Sequence, residues 1–289
     1  PGTFFSQESD VITNNTCCVW IEIKRVKKGL YLFVGLACID IYTGTTHVHE
    51  YSTPYIRSPT IYDELDRFMS IHFPSETILI SPDNYQEPII RSKTIHKLGL
   101  NDRKVANCEK QTYQTQLLNR FFKQCDSTSF EDNVYACQAC CYLLDFIHQH
   151  NPNLTNKIKA PLFEHSTTKL VLANHALIQL NILSADDNNT PVVKLLNECI
   201  TPMGKRQFIS NFLNPITDIE SLQCQYDLTE KLLHPELIQL YHSSVKPDLM
   251  LIKDLSKISR HIILGTVSPK VLFQLYSSIL VVKKMKAPD

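Results

Sequence analysis

Residues 17–26 (CCVWIEIKRV) alternate apolar and polar positions, the period-two signature of a half-buried strand. Lys27-Lys28-Gly29 then reads as a hairpin turn. Residues 30–42 (LYLFVGLACIDIY) are apolar enough for a central strand, and Thr43-Gly44 turns the chain into a third strand over 45–51. The rhythm next changes to that of a helix over 60–72, with Ile61, Leu65 and Phe68 on one face. A short buried strand at 77–80, a turn at Ser81-Pro82-Asp83-Asn84 and a helix at 87–98 complete this region. Thr128 and Glu131 have the spacing of a capping box for a helix running to about His150. Its apolar residues cover more than one face (Val134, Tyr135, Cys137, Cys140, Cys141, Leu144, Phe146, Ile147). Such a helix is expected to be buried, here between two domains.

Beyond Asn151-Pro152 only helical signals remain. Val192, Leu195, Leu196 and Cys199 form one apolar face, and Thr201-Pro202 opens the next helix, threonine as N-cap and proline in the first turn. That helix carries Phe208, Ile209, Phe212 and Leu213 and stops before Pro215. Thr217 and Glu220 have capping-box spacing for a third helix with Ile219, Leu222, Tyr226 and Leu233 along one stripe. Gly204 lies inside a first turn that does not need it, so a close crossing of helices is expected there. Leu251, Leu255, Ile258 and Ile262 share a face before a C-cap at Gly265. Ser268-Pro269 starts a last helix with Leu272, Leu275, Ile279 and Val282, for whose apolar face no partner follows. Five of the seven glycines fall before residue 100, so a turn-rich first part gives way to a helical second.

The chain has 289 residues, enough for two domains. Lysine plus arginine equals aspartate plus glutamate at 29 each, so no global charge draws the chain to nucleic acid or to a membrane. No apolar run is long enough to span a bilayer. Ten cysteines are too sparse for a disulfide framework, and most have apolar neighbours, which points to reduced thiols in an intracellular compartment. The first residue is Pro1, as expected of a piece of a longer protein.

Thr201-Pro202-Met203-Gly204-Lys205-Arg206, a helix ending in FLNP, and then ITDIESL before a long helix resemble the core domain of the MutS DNA mismatch-repair family. LANHALIQLNI at 172–182 is similar to a segment of that core, with Ala173 and Gln179 in place of the usual Asp and Asn. Phe212 stands where the family has Trp. Asp254-Leu255-Ser256-Lys257-Ile258-Ser259-Arg260, then Gly265 and Ser268-Pro269-Lys270, resemble a further run of the same core. Upstream, Pro1-Gly2-Thr3 and the GLACIDIYTG of residues 35–44 resemble the family's connector domain.

The resemblance implies an α/β connector of ribonuclease-H-like fold over 1–130, in keeping with three antiparallel strands followed by alternating helix and strand. It further implies a junction helix over 131–150 and an all-α core, or lever, domain over 151–289, incomplete at its C-terminus. The structural motif is Thr201, Pro202, Met203, Gly204, Arg206 and Pro215. No catalytic, cofactor-binding or metal-binding residue is expected in this segment. ATP and Mg belong to the full-length protein, through a domain not present here. Mismatched double-stranded DNA, a MutL-like protein at the connector and a MutS-type homo- or heterodimer are the partners implied, with no membrane.

The chemistry that the residues themselves suggest is weighed against plainer roles. A ribonuclease-H or RuvC-like nuclease would need convergent carboxylates for paired metals, with Asp40 first and Glu22, Glu64 and Asp83 supplying the rest. The plainer reading has Asp40 capping its turn. Cys137-x-x-Cys140-Cys141 lies mid-helix in apolar company and reads as core. The pairs His47/His49 and His148/His150 read as surface. Lys24-Arg25-x-Lys27-Lys28 and Lys283-Lys284-x-Lys286 are the only phosphate-binding candidates, and no aromatic residues interleave them. A P-loop sequence is absent, so ATP cannot bind here in that manner.

Overall fold

In a computed structural model the described residues are 13–26, 29–82, 90, 92–122, 130, 132–155, 158–163, 174–183 and 190–285. The chain divides into two compact units, Pro1–Glu164 with Ala173–His175, and His165–Leu172 with Ala176–Asp289.

The first unit is built on a six-stranded mixed sheet. β1 (Asn15–Val26), β2 (Gly29–Asp40) and β3 (Thr46–Pro54) form an antiparallel meander. A 3₁₀ turn at Pro59–Tyr62, capped by the Ser58 hydroxyl, leads into α1 (Asp63–His72). The chain returns as β4 (Glu76–Ser81), parallel to β1, and then as β5 (Thr94–Gly99), parallel to β4. β6 (Leu162–Phe163) adds to the far edge beside β3, giving the order β5-β4-β1-β2-β3-β6. Between β5 and β6 lie α2 (Arg103–Cys108), α3 (Gln111–Phe121) and α4 (Val134–His150).

Both faces of the central strands are covered, which is why β2 reads as a nearly continuous apolar run. On one face Cys17, Val19, Ile21, Leu32, Val34, Leu36 and Cys38 pack with Ile61, Leu65, Phe68 and Met69 of the turn and α1. The alternate residues Cys18, Trp20, Ala37 and Ile39, all buried, belong to the face where α4 lies across β1 and β2. α2 and α3 pack against α4 in turn. The apolar residues of α4 thus meet the sheet and two helices of its own unit.

Two residues opposite one another in the β2–β3 ladder seat α4. A Cβ on Gly35 would come within 2.1 Å of the Tyr135 carbonyl carbon and oxygen and 2.6 Å of the Ala136 nitrogen, so the helix start rests on bare backbone. Its cross-strand partner Glu50 accepts the Ala136 N–H at 2.9 Å. Asn133, at the N-cap position, makes no capping bond with its side chain, and a carboxylate from the sheet caps the helix in its place.

The second unit is helical. α5 (Asn174–Gln179) begins at the boundary and is followed by α6 (Val192–Leu196), α7 (Pro202–Leu213) and α8 (Ile219–Leu232). α9 (Pro235–Leu240) continues through a π turn at Tyr241–Val245 into α10 (Lys246–Leu251). α11 (Leu255–Leu264) and α12 (Pro269–Lys284) complete it. Gly265 adopts φ 70° and closes α11 in a left-handed cap. No helix among the described residues is long and apolar enough to cross a membrane.

Several local expectations are corrected. Residues 94–99 are a strand, not the end of a helix; residues 83–89 and 91 of that stretch lie outside the described residues. The sequence TIHKLG is short and its apolar spacing ambiguous, so pairing with β4 decides its conformation. Thr128 and Glu131 also lie outside the described residues. The helix of 192–199 stops at Leu196, because the Asn197 side chain accepts the Cys199 N–H at 3.4 Å and offers the backbone a competing bond. Asp218, not Thr217, caps α8 by accepting the Ser221 N–H at 2.9 Å. Leu251 ends α10 and does not share a helix with Leu255. The region after residue 152, expected to be wholly helical, contains the two-residue β6.

Gly35→Ala is expected to destabilise the chain by on the order of 3 kcal/mol, because the added methyl meets backbone and not a movable side chain. A urea melt within 0.5 kcal/mol of the parent (roughly the scatter of neutral surface changes) would contradict this. For Glu50 two replacements separate the acceptor from its charge. Glu50→Ala leaves helix-start N–H groups without their acceptor and should cost about 1–2 kcal/mol. Burial raises the Glu50 pKa above 4.5, while the Ala136 and Tyr135 N–H groups and His49 oppose the rise. A raised carboxyl pKa contributes stability that is complete below the unfolded value and lost as pH climbs through the folded one. The parent should therefore lose ground to Glu50→Gln between pH 4 and neutrality in thermal melts (pH values about those where a carboxyl titrates).

Candidate functional site

Thr201 accepts the Gly204 N–H at 3.1 Å and Pro202 occupies the first turn of α7, which fixes where that helix begins. One turn on, Arg206 points to Asp254. Its two terminal nitrogens donate to the two carboxylate oxygens at 2.7 and 2.8 Å, a bidentate fork. Asp254 is also the N-cap of α11, where it accepts the Lys257 N–H at 3.3 Å. One carboxylate therefore pairs with α7 and caps α11. Burial works to raise the Asp254 pKa, but the hydrogen bonds and charge of Arg206, with Lys257, hold it below the ordinary value of 3.8.

The segment that presents Asp254 is itself tied down. Ser278 of α12, fully buried, accepts the Lys253 N–H at 3.1 Å and donates to the Gln274 carbonyl at 2.8 Å. Ile252 is buried, and Asp248 of α10 lies 3.7 Å from Lys284 of α12. At the far end of α7, Phe208 and Phe212 stack at 5.5 Å, Leu213 and Asn214 are buried, and Pro215 follows. Met203 is half-buried. The arrangement is a clasp of α7, α10, α11 and α12.

Gly204 does not sit at a helix crossing. The nearest atoms to a Cβ there would be Thr201 Oγ1 at 3.1 Å and Cys199 Cβ at 3.5 Å, both from the segment that leads into its own helix. The glycine makes room for the cap.

The carboxylates considered for metal binding go separate ways. Asp40 accepts the N–H groups of Asn14 (3.2 Å) and Tyr42 (3.0 Å) and the Thr43 hydroxyl (2.7 Å), and so caps its turn. Glu22, which pairs with Lys24 at 3.0 Å, stands seven ladder positions from Asp40, roughly 23 Å along the strands. Glu64 contacts His49 and Arg67, each at 3.3 Å; the His49 contact is the main cause that lowers its pKa, with burial opposing. Asp83 lies outside the described residues. Among the described residues no three His, Cys, Asp or Glu side chains are grouped to hold a metal ion.

His49 is not a surface residue. It is 5% exposed, stacked between β3 and Phe68 of α1, and His47 packs against His72 at 4.7 Å between ring centroids. His148 is half-buried and contacts Arg120 and Thr155, each at 2.9 Å, and His150 is exposed. Cys137, Cys140 and Cys141 are buried within α4. A bond from Cys137 and burial push the Cys141 thiol up, and burial raises Cys108 to about 12, which disfavours a thiolate at either. Of the basic runs, Lys24 lies over the Tyr135 ring at 5.2 Å, whereas Lys27, Lys28 and Lys286 are outside the described residues.

Asp254 is the residue whose role the sequence does not disclose. It heads a run that resembles the family's core, but nothing in the spacing pairs it with Arg206, 48 positions earlier.

The geometry defines a structural class: a mixed α/β unit and a helical unit held by caps, stacked rings and a bidentate ion pair. Comparison with known proteins gives the family. The model described as MutS domain II matches residues 22–159, and that described as MutS domain III matches residues 175–288. A putative DNA mismatch repair protein mutS homolog of Acanthamoeba polyphaga mimivirus is 25% identical over 93% of this chain and 27% of its own length. A mitochondrial DNA mismatch repair protein mutS homolog of Sarcophyton glaucum is 31% identical over 58% of this chain and 17% of its own. The DNA mismatch repair protein MutS of Caldanaerobacter subterraneus subsp. tengcongensis is 23% identical over 99% of this chain and 31% of its own. The chain belongs to the MutS family of DNA mismatch repair proteins. It spans less than a third of the length of each of these relatives.

Arg206→Lys and Asp254→Asn are expected to lose about 1.5–3 kcal/mol each, since lysine lacks the fork and asparagine keeps the cap but not the charge. The Asp254→Asn deficit should be present at neutral pH and shrink as pH falls below 3.8, because a depressed carboxyl pKa stabilises only while the group is ionised. Denaturant melts showing a deficit that does not change with pH would reject the ion pair as its source. Gly204→Ala is expected near neutral, the about 0.4–1 kcal/mol gained from unfolded-state entropy being offset by crowding of the cap. Gly204→Val should be clearly worse, and equal melts for all three chains would rule out a packed cap.

Proposed function

We propose that this chain is the connector and core segment of a MutS-like mismatch-repair protein, the mechanical link between a mismatch-reading part and an ATPase part, with no active site of its own. The observation that carries the reading is the Arg206–Asp254 clasp: it joins two stretches of the domain III match through one rigid contact. Packed helices with fixed mutual geometry are what transmission of a two-state change requires. The sheet order, with an antiparallel β1–β3 meander and parallel β4 and β5, supports a ribonuclease-H-like connector. On this reading mismatched DNA, ATP with Mg, a MutS-type dimer partner and a MutL-like protein at the connector belong to the longer protein. The nine cysteines among the described residues are thiols and seven of them are buried, which favours a reducing intracellular compartment.

In the longer protein, Arg206→Ala should reduce the stimulation of ATP hydrolysis by mismatched DNA while leaving the unstimulated rate in place. Stimulation equal to the parent's would overturn the linking role. The 289-residue chain itself has zero net charge and should release few counterions, so duplex binding is expected to be weaker than about 1 µM in about 150 mM salt. Fluorescence anisotropy with matched and mismatched duplexes measures this. Cleavage of labelled nucleic acid with Mg²⁺ or Mn²⁺, abolished by Asp40→Asn, would establish the nuclease alternative instead.

A further inference from the structure

We propose that His148 is a proton-sensitive latch: neutral, it ties the last turn of α3 to α4 through Arg120, and on taking up a proton it lets that turn go. The neutral form is fixed from both sides by which groups can donate. Arg120 of α3 meets His148 Nε2 at 2.9 Å through a terminal guanidinium nitrogen, and a guanidinium only donates. Nε2 must therefore be the bare, accepting nitrogen. On the other side Nδ1 lies 2.9 Å from the hydroxyl oxygen of Thr155, in the 3₁₀ turn Pro152–Thr155 that follows α4. Thr155 gives its one hydroxyl proton to the Pro152 carbonyl at 2.8 Å, so towards His148 it can only accept, and Nδ1 must carry the hydrogen. Two separate contacts demand the same tautomer.

A proton can enter this ring only at Nε2. Once there it turns the acceptor into a second donor, and two cations face each other at hydrogen-bond distance. The bond to Arg120 is lost, while Nδ1 keeps its hydrogen and its bond to Thr155. The switch is one-sided: it frees the end of α3 and leaves the 3₁₀ turn in place. Among the described residues the neighbouring titratable groups are engaged elsewhere. Asp145, one turn back on α4, takes bonds from Gln149 and Tyr113. Lys104 of α2 donates to Gln149 at 2.7 Å, and His150 bonds to the Phe146 carbonyl at 2.8 Å. From α3 the Phe121 ring meets His148 edge-on at 5.5 Å, and Leu117 and Phe122 are buried, so apolar contact keeps α3 in place when its polar tie is lost. All of these contacts lie within the first unit. The inference does not draw on the repair reading, whose failure would leave it untouched.

Ring-nitrogen NMR of the 289-residue chain tests the tautomer. At about pH 8, where an imidazole is neutral, His148 should show a protonated Nδ1 and a bare Nε2. A hydrogen on Nε2 at that pH would overturn the proposal. Amide hydrogen exchange, corrected for the intrinsic effect of pH, follows the release. Between about pH 8 and about pH 5 the amides of 118–122 should lose about tenfold in protection relative to those of 136–140 in α4. No such loss in the parent would also overturn the latch. In His148→Gln the side-chain oxygen can accept from Arg120 at either pH, and the loss should vanish. A folded variant that loses as much protection as the parent would assign the release to another group and overturn the proposal. Should the variant not fold, the tautomer and the parent's profile decide.

Discussion

The first unit depends on how closely α4 approaches the sheet. At Gly35 the backbone of β2 meets the first turn of the helix with no side chain between, and Glu50, across the ladder, accepts the Ala136 N–H. The two residues act together: the absence of a Cβ brings the helix start within reach, and the carboxylate then serves as its cap. Everything that α4 buries on that face, from Trp20 to Ile39, follows from this seat, because a helix raised by a methyl at its start would lift off the small residues Cys18 and Ala37. The cost is a carboxylate in a half-buried place, visible in its raised pKa.

In the second unit single side chains again serve two elements at once. Asp254 is both a helix cap and an ion-pair partner, and Ser278 is both donor and acceptor between α12 and the segment before α11. An apolar contact at the α7–α11 junction would hold the helices together about as well, since half-buried ion pairs contribute modestly to net stability. It would not fix their mutual angle. A planar guanidinium on a planar carboxylate does, because both bonds are lost if either plane turns.

How legible these features are in the sequence depends on range. The strands β1 and β2, the α7 start at Thr201-Pro202 and the Gly265 and Ser268-Pro269 punctuation are written in residues that touch within a turn or a hairpin, and the structure has them there. β5 escapes a sequence reading because an edge strand of six residues takes its conformation from β4 and not from its own pattern. His49 reads as surface because alternation tells which face of β3 it occupies, not that α1 covers that face. Gly204 stands out for a sound reason, an unneeded glycine in a first turn, but the neighbour it spares is its own cap. Arg206 and Asp254 each lie in a recognisable motif, yet 48 residues of intervening chain conceal a contact that only the fold brings about.

The contrast between the clasp and the helices beside it shows where rigidity stops. Around Arg206 and Asp254 each short stretch of chain is fastened by more than one directed bond, so displacing any helix there breaks several at once. Along α8 the bonds are those of the helix itself and its Asp218 cap, and Ile219, Tyr226 and Leu233 stand 79%, 64% and 63% exposed. A stripe at 3-4 spacing with so little burial contributes almost nothing to folding, because apolar area stabilises only when it leaves water. The Asp218 cap and the backbone ladder are local, and a 14-residue helix held by those alone is marginal. Among the described residues the directed bonds of α8 are its own, while α7, α11 and α12 are tied to one another through the segment that carries Lys253 and Asp254.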